Sequence, residues 1–166
     1  MKEIPLTNGP IAIVDDEDFE FLNQWQWHSV RGYATRREYF TEKKYHYKSR
    51  SFRMHRIILN APDGYEVDHI NGNPLDNRKS NIRICTRQQN MRNVKLSTKN
   101  TSGYKGVSWS AIGKKWMAYI SYGNKKTKYL GYYTDKKDAA YAYDSAAKVM
   151  FGEFAKLNFP MAGEEV

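Results

Sequence analysis

Val67-Asp-His-Ile-Asn-Gly-Asn-Pro-Leu-Asp-Asn-Arg-Lys-Ser-Asn-Ile-Arg-Ile-Cys-Thr-Arg-Gln-Gln-Asn90 is the stretch on which the reading of this chain turns. Tyr65 to Ile70 and Ile82 to Cys85 read as two short strands, and Asn71-Gly72-Asn73-Pro74 between them is dense turn chemistry. Thr86 with Gln89 three residues on forms a capping box that opens a helix. Strand, loop, strand, helix is the expected unit. Asp68 and His69 then end the first strand, and Asn90 lies early on a helix expected to pack against it.

These residue types suit one chemistry. A carboxylate and an amide oxygen are hard ligands for Mg²⁺ or Mn²⁺, and an adjacent imidazole takes a proton from water near neutral pH. Phosphodiester cleavage needs both parts, a metal for the charge on phosphate oxygens and a base to activate water in line. Taken singly, an Asp-His pair is more often a turn with a satisfied histidine, and Asn-rich loops are usually loops. The weight of the reading lies in the combination.

Asp68-His69, Asn81 and Asn90, with the internal Asp76-Asn-Arg-Lys-Ser-Asn81, resemble the HNH nuclease motif in its His-Asn-Asn form. Met54-His-Arg56 resembles the segment commonly found upstream of that motif in phage and intron-encoded homing endonucleases, so the match covers about residues 54 to 93. The resemblance implies His69 as general base and Asp68 and Asn90 as ligands of one divalent metal. It implies Asn81 as the catalytic-loop residue that fixes the loop and orients the histidine. The second imidazole of the founding pattern is absent, which favours Mg²⁺ or Mn²⁺ over zinc or nickel.

Farther along, Tyr104 to Ser110, Lys115 to Tyr122 and Thr127 to Tyr133 alternate as a three-stranded meander with turns at Ala111-Ile-Gly113 and Gly123-Asn124. A helix is expected from Thr134 or Asp135 to about Phe151, stopped by Gly152, with Ala139, Tyr143, Ala146, Ala147 and Met150 inward. Ser102-Gly-Tyr-Lys-Gly-Val107, Trp116-Met-Ala-Tyr-Ile120, Tyr129-Leu-Gly131, Ala142-Tyr143-Asp144 and Leu157-Asn-Phe-Pro160 are similar to the Apetala, or ethylene-response-factor, type of DNA-binding domain. That resemblance implies a sheet laid in the major groove with the helix behind it. Alternation assigns Val107, Trp109, Trp116, Ala118, Ile120 and Leu130 to the core. It turns Lys105, Lys115, Tyr119, Ser121, Thr127 and Tyr129 toward DNA. Plant relatives carry arginines on that face where this chain has mostly Ser, Thr, Tyr and Ile, so their target sequence does not transfer.

The expected fold class is α+β, a ββα-metal nuclease module followed by a three-strand-plus-helix module. Residues 1–94 form the first, with an N-terminal β-ribbon extension. Residues 95–103, polar and small, read as a linker, 104–160 form the second module, and 161–166 are a tail.

In the first part, Ile11 to Val14 reads as a buried strand. Asp15 to Asp18 read as an acidic first helical turn, with Phe19, Leu22 and Trp25 as its apolar stripe. A capped, solvated helix start explains those acids better than a metal site does. Aromatic and basic residues interleave from Arg31 to Arg53: two strands broken at Thr41 to Lys44, one face apolar and the other basic. Arg31, Tyr33, Arg36, Arg37, Arg50 and Arg53 are candidate DNA contacts, and a solvated basic hairpin is the equally ordinary alternative.

Charge supports a polyanionic partner. Residues 1 to 30 carry a net −5, residues 31 to 100 a net +10 and the remainder +4, within an overall +9; Lys and Arg that neutralise phosphates release condensed counterions. No apolar run approaches the roughly 20 residues of a membrane span, and the start Met-Lys-Glu-Ile-Pro-Leu does not resemble a secretory signal. The expected location is the cytoplasm of a bacterial or phage-infected cell. A single cysteine, Cys85, permits no disulfide and no Cys-based zinc clasp. It is expected in the core.

The resulting expectation is a metal-dependent, site-directed DNA endonuclease or nickase of the mobile, phage or intron-associated kind. It acts on double-stranded DNA as a monomer. A non-catalytic regulator on the same scaffold, or an RNA-binding protein with aromatic stacking surfaces, are the competing classes. Intact Asp68, His69 and Asn90 argue against the regulator.

Overall fold

The computed structural model describes residues 1–43, 46–93, 96–123 and 126–160. The chain forms two compact units, Met1–Thr86 and Arg87–Val166, built from small antiparallel sheets and short helices in a mixed α+β arrangement.

In the first unit, β1 (Lys2–Pro5) pairs with β2 (Ile11–Val14), and α1 (Asp16–Leu22) follows. Three strands come next, β3 (His28–Val30), β4 (Tyr33–Lys43) and β5 (His46–Arg53), in sheet order β3-β4-β5. Then come α2 (Met54–Ile58) and the antiparallel pair β6 (Glu66–His69) and β7 (Ile82–Cys85). Ile4, Leu6, Ala12, Val14, Leu22, Trp27, Ala34 and Met54 form the core. Burying side chains the size of Leu22 and Met54 contributes about 1.5–3 kcal/mol each. The expected helix ends at Leu22, so Trp25 lies beyond it and packs edge-on against Trp27 and Phe21. β1 and β3 carry too little pattern to be anticipated. Arg31 and Gly32, at φ 52° and 87°, make the tight turn between β3 and β4.

The expected two strands between residues 31 and 53 are present, and Lys44 of the expected break lies outside the described residues. The faces differ from expectation. In the β4–β5 register, Arg36, Glu38 and Phe40 share a face with Phe52, Arg50 and Lys48; Tyr33, Thr35, Arg37 and Tyr39 share the other with Arg53, Ser51 and Ser49. Arginines therefore occur on both faces. Arg36 is stacked over Trp25 at 4.3 Å and over Phe52 at 4.5 Å and is ion-paired with Glu38, so it seals the base of the ribbon and is withdrawn from solvent.

The second unit begins with the single turn α3 (Arg87–Asn90). Its Gln88 Nε2 donates to the Tyr122 carbonyl at 3.1 Å, which docks α3 on the hairpin between β9 (Lys115–Ser121) and β10 (Thr127–Tyr133). The unit boundary at Thr86 thus falls ahead of the stretch read as a linker. That stretch is folded: Ser102 is buried, and its Oγ bonds the Val107 carbonyl at 2.8 Å and the Tyr104 carbonyl at 3.0 Å, while Asn100 Nδ2 caps Tyr104 O. Small polar residues signal a linker when solvated; here they satisfy backbone groups at the entry to β8 (Val107–Ser110). Lys95 of the expected linker, Asn124 of the expected turn and the tail 161–166 lie outside the described residues.

The meander appears as expected, in sheet order β10-β9-β8, and α4 runs Lys136–Phe151 with Asp135 capping the Lys137 amide at 2.6 Å. Val107, Ala118, Ala139 and Ala140 make one core cluster, and Ile120, Tyr143, Ala147 and Phe151 another. Ala140 and Asp144 are buried on α4, whereas Ala146 and Met150 are only half covered. Asp144 is inward because its carboxylate accepts from Asn158 N at 2.8 Å and Phe159 N at 2.9 Å, tying down the chain after the helix. Trp109, expected in the core, is 50% exposed; it lies on the short edge strand and leans edge-on against Trp116.

Gly106 is where this unit tolerates least. Its φ is +71°, and an added Cβ would overlap the Tyr143 ring and sit 2.6 Å from the Tyr119 carbonyl oxygen. Gly106→Ala is expected to destabilise the second unit by about 2 kcal/mol or more, from overpacking plus left-handed strain. Thermal unfolding measures this; an unchanged transition would contradict the packing.

Candidate active site

His69 ends β6 opposite Ile82 of β7, and Asp68 stands opposite Arg83. Both side chains are buried, 6% and 4% exposed. Neighbours along a strand point to opposite faces, so the imidazole and the carboxylate reach out from the two sides of one ribbon. Asp68 Oδ2 accepts from Arg83 Nη2 at 2.8 Å and Nε at 3.1 Å. Arg83 was not singled out in the sequence, because a basic residue on a basic chain gives no signal until its ladder partner is known.

The loop from Ile70 to Asn81 is held from several sides. Asn71 Oδ1 and Asn73 Oδ1 accept from the amides two residues on, at 2.8 and 3.1 Å, the turn chemistry expected of Asn-Gly-Asn-Pro. Asp76, 2% exposed, binds Arg78 through Nε at 2.7 Å and Nη2 at 2.6 Å and takes Asn71 Nδ2 at 2.9 Å. The Arg78 guanidinium holds its carboxyl below the usual range. Ile13 of β2 bridges Asp76: its amide donates to Leu75 O and its carbonyl accepts from Asn77 N, both at 2.8 Å. The acidic start of α1 clamps the same loop. Asp15 Oδ2 accepts the Lys79 amide at 2.7 Å, and Lys79 Nζ pairs with Glu17 and Asp18. The acids of residues 15 to 18 thus serve a structural end.

Asn81 braces the motif loop. Its Nδ2 donates to Asp76 O at 2.7 Å and its Oδ1 accepts from Asn71 N at 3.0 Å, so it closes the loop. The partner of His69 is Asn77, whose Oδ1 lies 3.3 Å from Nε2. Asn77 is fully buried and its Nδ2 donates to Leu75 O at 3.0 Å, which turns Oδ1 toward the histidine. With Asn77 Oδ1 as the acceptor, this contact favours the tautomer that carries the ring proton on Nε2. Burial lowers the His69 pKa against the opposing pull of Asn77, Asp68 and Asp76, so the ring is neutral at neutral pH. Asn77 belongs to the motif loop, but four asparagines there look alike in sequence.

His55 of α2 is the other residue the chain brings here. Its ring lies 5.0 Å from that of His69, edge to face, and 5.3 Å from Tyr33. Burial foremost, then the nearby His69, Arg53 and Arg56, push it down to about 3, so it stays uncharged. Arg56 anchors the approach to β6 through the carbonyls of Ala61, Pro62 and Tyr65 at 2.7 to 3.0 Å. Tyr33 also lies 5.9 Å from His69, and Arg53 covers the Tyr33 ring at 4.9 Å. Of the basic candidates, Arg37 and Arg53 share the ribbon face of Tyr33, Arg50 lies on the opposite face, and Arg31 sits exposed at a turn.

Asn90 ends α3 in the second unit. Among the described residues no group of three or more His, Cys, Asp or Glu side chains stands ready as a metal cage. Asp68 carries carboxylate oxygens and Asn90 an amide oxygen. On the second unit, cross-strand pairs Tyr119–Tyr129 and Ser121–Thr127 put those four residues, with Lys115, on the sheet face away from α4. Lys105 lies outside the sheet, half buried, its Nζ donating to the Arg92 carbonyl. No described helix is long and apolar enough to cross a membrane.

Comparison with known proteins matches residues 60–92 to the family model described as HNH endonuclease. An uncharacterised HNH endonuclease of Acanthamoeba polyphaga mimivirus is 30% identical over 157 residues, 90% of this chain and 75% of that protein. Protein 3.8 of Escherichia phage T7 is 40% identical over 65 residues, 39% of this chain and 54% of the phage protein, so the match spans about half of that relative. Dehydration-responsive element-binding protein 2A of Arabidopsis thaliana is 43% identical over 58 residues, 34% of this chain and 17% of the plant protein.

Proposed function

The chain belongs to the HNH endonucleases, and from that premise we propose that it hydrolyses phosphodiester bonds of double-stranded DNA in a metal-dependent, site-directed reaction. The observation that carries this reading is the buried, neutral His69, its Nε2 fixed by Asn77 and its backbone neighbour Asp68 a carboxylate.

In this reading the His69 imidazole takes the proton from the attacking water, and Asn77 stabilises the imidazolium that forms by accepting from Nε2. His55, uncharged and packed against His69, adds no competing charge. Asp68 and Asn90 are the residues that would hold a Mg²⁺ or Mn²⁺, and that ion would offset charge on the scissile phosphate and leaving oxygen. Asn81 and Asp76 keep the loop in shape. Arg37 and Arg53 contact phosphates along the ribbon face that ends at Tyr33. Arg31 and Arg50 serve as further backbone contacts, and Lys115, Tyr119, Ser121, Thr127 and Tyr129 read the duplex from the sheet of the second unit. One metal site and one copy of each unit favour a monomer that cuts one strand at a time. The setting is a phage or other mobile element in the cytoplasm of a bacterial or infected cell.

Supercoiled plasmid incubated with the full chain tests this. Relaxed circles are expected first in Mg²⁺ or Mn²⁺, and none in chelator. Intact plasmid in every metal, with DNA still bound, would leave the regulator reading in its place.

A further inference from the structure

Beside β9, the second unit opens into a cleft of about 690 Å³ lined by Arg87, Gln88, Met91 and Arg92 on one side and by Lys105, Tyr119, Ser121, Tyr122, Lys126, Tyr143 and Phe151 on the other. Its lining includes four cations and no acidic residue. Its walls are largely apolar: Met91 is 67% exposed, Tyr122 40%, and Arg92 lies 4.2 Å over the Phe151 ring. Such a volume falls within the range of built ligand sites, roughly 300–1,000 Å³.

The energetics point one way. Burial foremost, with Lys156 second, pushes the Lys105 amine down, and Arg87, Arg92 and Lys126 add positive charge to the lining of the same cleft. An anion offsets that cost. A bare phosphate has no use for the rings and the methionine, whereas a nucleotide strand offers anionic phosphates for the cations and deoxyribose for the apolar wall. The cleft also includes Tyr119 and Ser121, whose cross-strand partners Tyr129 and Thr127 stand on the sheet face proposed to meet DNA. A strand lying on that face runs into the cleft.

We propose that this cleft, walled by α3 and the β9–β10 hairpin, clamps the sugar–phosphate backbone of DNA bound on the adjacent sheet face. The inference rests on the proposal that the chain binds DNA; it extends the sheet face past Tyr119 and Ser121 to α3 and lies outside the His69 site.

The test uses the full chain and a fluorescent duplex of mixed sequence, with affinity measured by anisotropy across a series of KCl concentrations. Arg87 and Lys126 are exposed, so the double variant Arg87→Ser, Lys126→Ser keeps the fold. Each phosphate that a cation no longer neutralises lowers the log–log salt slope by about 0.9, so the double variant is expected to flatten it by about 2. Lys136→Ser with Lys137→Ser, two exposed lysines at the start of α4, removes the same charge elsewhere and is expected to leave the slope near that of the parent. Tyr122→Glu, which adds a carboxylate and removes no cation, is expected to weaken binding as well. A slope unchanged in the cleft variant, or flattened equally by the α4 control, overturns the clamp while the DNA reading stands. Displacement of the duplex by a free mononucleotide acting through the cleft residues overturns it in favour of a small-ligand site. If the parent chain binds no duplex, the DNA reading fails and the clamp with it.

Discussion

His69→Ala is expected to cut DNA about 10² to 10⁴ times more slowly than the parent while binding it equally well, because a general base acts on the chemical step alone. Asn77→Ala separates base from orienter. With Asn77 gone, His69 loses the acceptor 3.3 Å from Nε2 and with it the fixed tautomer. A loss of about 10- to 100-fold in kcat with KM unchanged is expected, the usual scale for a residue that orients a functional histidine. Asn77 is fully buried, so this variant also loses stability, about 0.5–1.5 kcal/mol for the lost hydrogen bond to the Leu75 carbonyl, which keeps the Ile13 amide as a donor. Assays well below its melting temperature separate the two effects. Asn81→Ala, which opens the loop without touching the ring, is expected to cost stability more than kcat. Near-parental cutting by His69→Ala would remove the histidine from the reaction.

The second large effect concerns Asp68. Its carboxylate is the one acidic group carried over as a metal ligand, and in this structure it faces the Arg83 guanidinium across the ladder. Asp68→Asn keeps shape and removes charge. Cutting is expected to be abolished at any practical Mg²⁺ concentration, whereas Asn90→Ala, losing a neutral ligand, is expected to recover part of its activity at high Mn²⁺. Water and the scissile phosphate would complete so sparse a ligand set, so free-ion affinity is expected to be weak and to rise with DNA. Mn²⁺ titration by electron paramagnetic resonance, with and without uncleavable duplex, reads this directly. Tight zinc binding by the free chain, or cleavage that persists in chelator, would overturn the ligand assignment. Asp68→Asn also leaves Arg83, whose side chain is 16% exposed, facing a neutral amide. Its melting temperature falls for that reason, and Arg83→Gln in the same background is expected to restore much of it.

Period-2 alternation made the meander legible strand by strand, since β9 and β10 each bury one face on α4. The Asp135 cap and Gly152 stop framed α4 within a residue at each end. The motif stretch was legible for a different reason: turn chemistry between two short alternating runs leaves few other local solutions. Failures occurred where identity depends on a partner distant in sequence. Trp109 alternates as a core residue but lies on an edge strand, where the sheet ends and half of the ring stays in solvent. Arg36 reads like its neighbour Arg37, yet Trp25 and Phe52 take it out of solvent. Ser102 belongs to a stretch of linker composition and is buried among backbone carbonyls.

The resemblance to the HNH motif supplied the candidate roles of Asp68, His69, Asn81 and Asn90, while local chemistry by itself determined the strand–loop–strand–helix order and the meander with its helix. The last two follow from propensity and pattern, which act over a few residues. The tertiary structure alone decided which asparagine holds His69, that Arg83 faces Asp68, that α2 brings His55 against the base, and that β2 and α1 clamp the motif loop. Each of those depends on a pairing register or a packed neighbour that the chain places 14 to 64 positions away, or on which of several like side chains turns inward. Nothing in a window of a few residues can distinguish them.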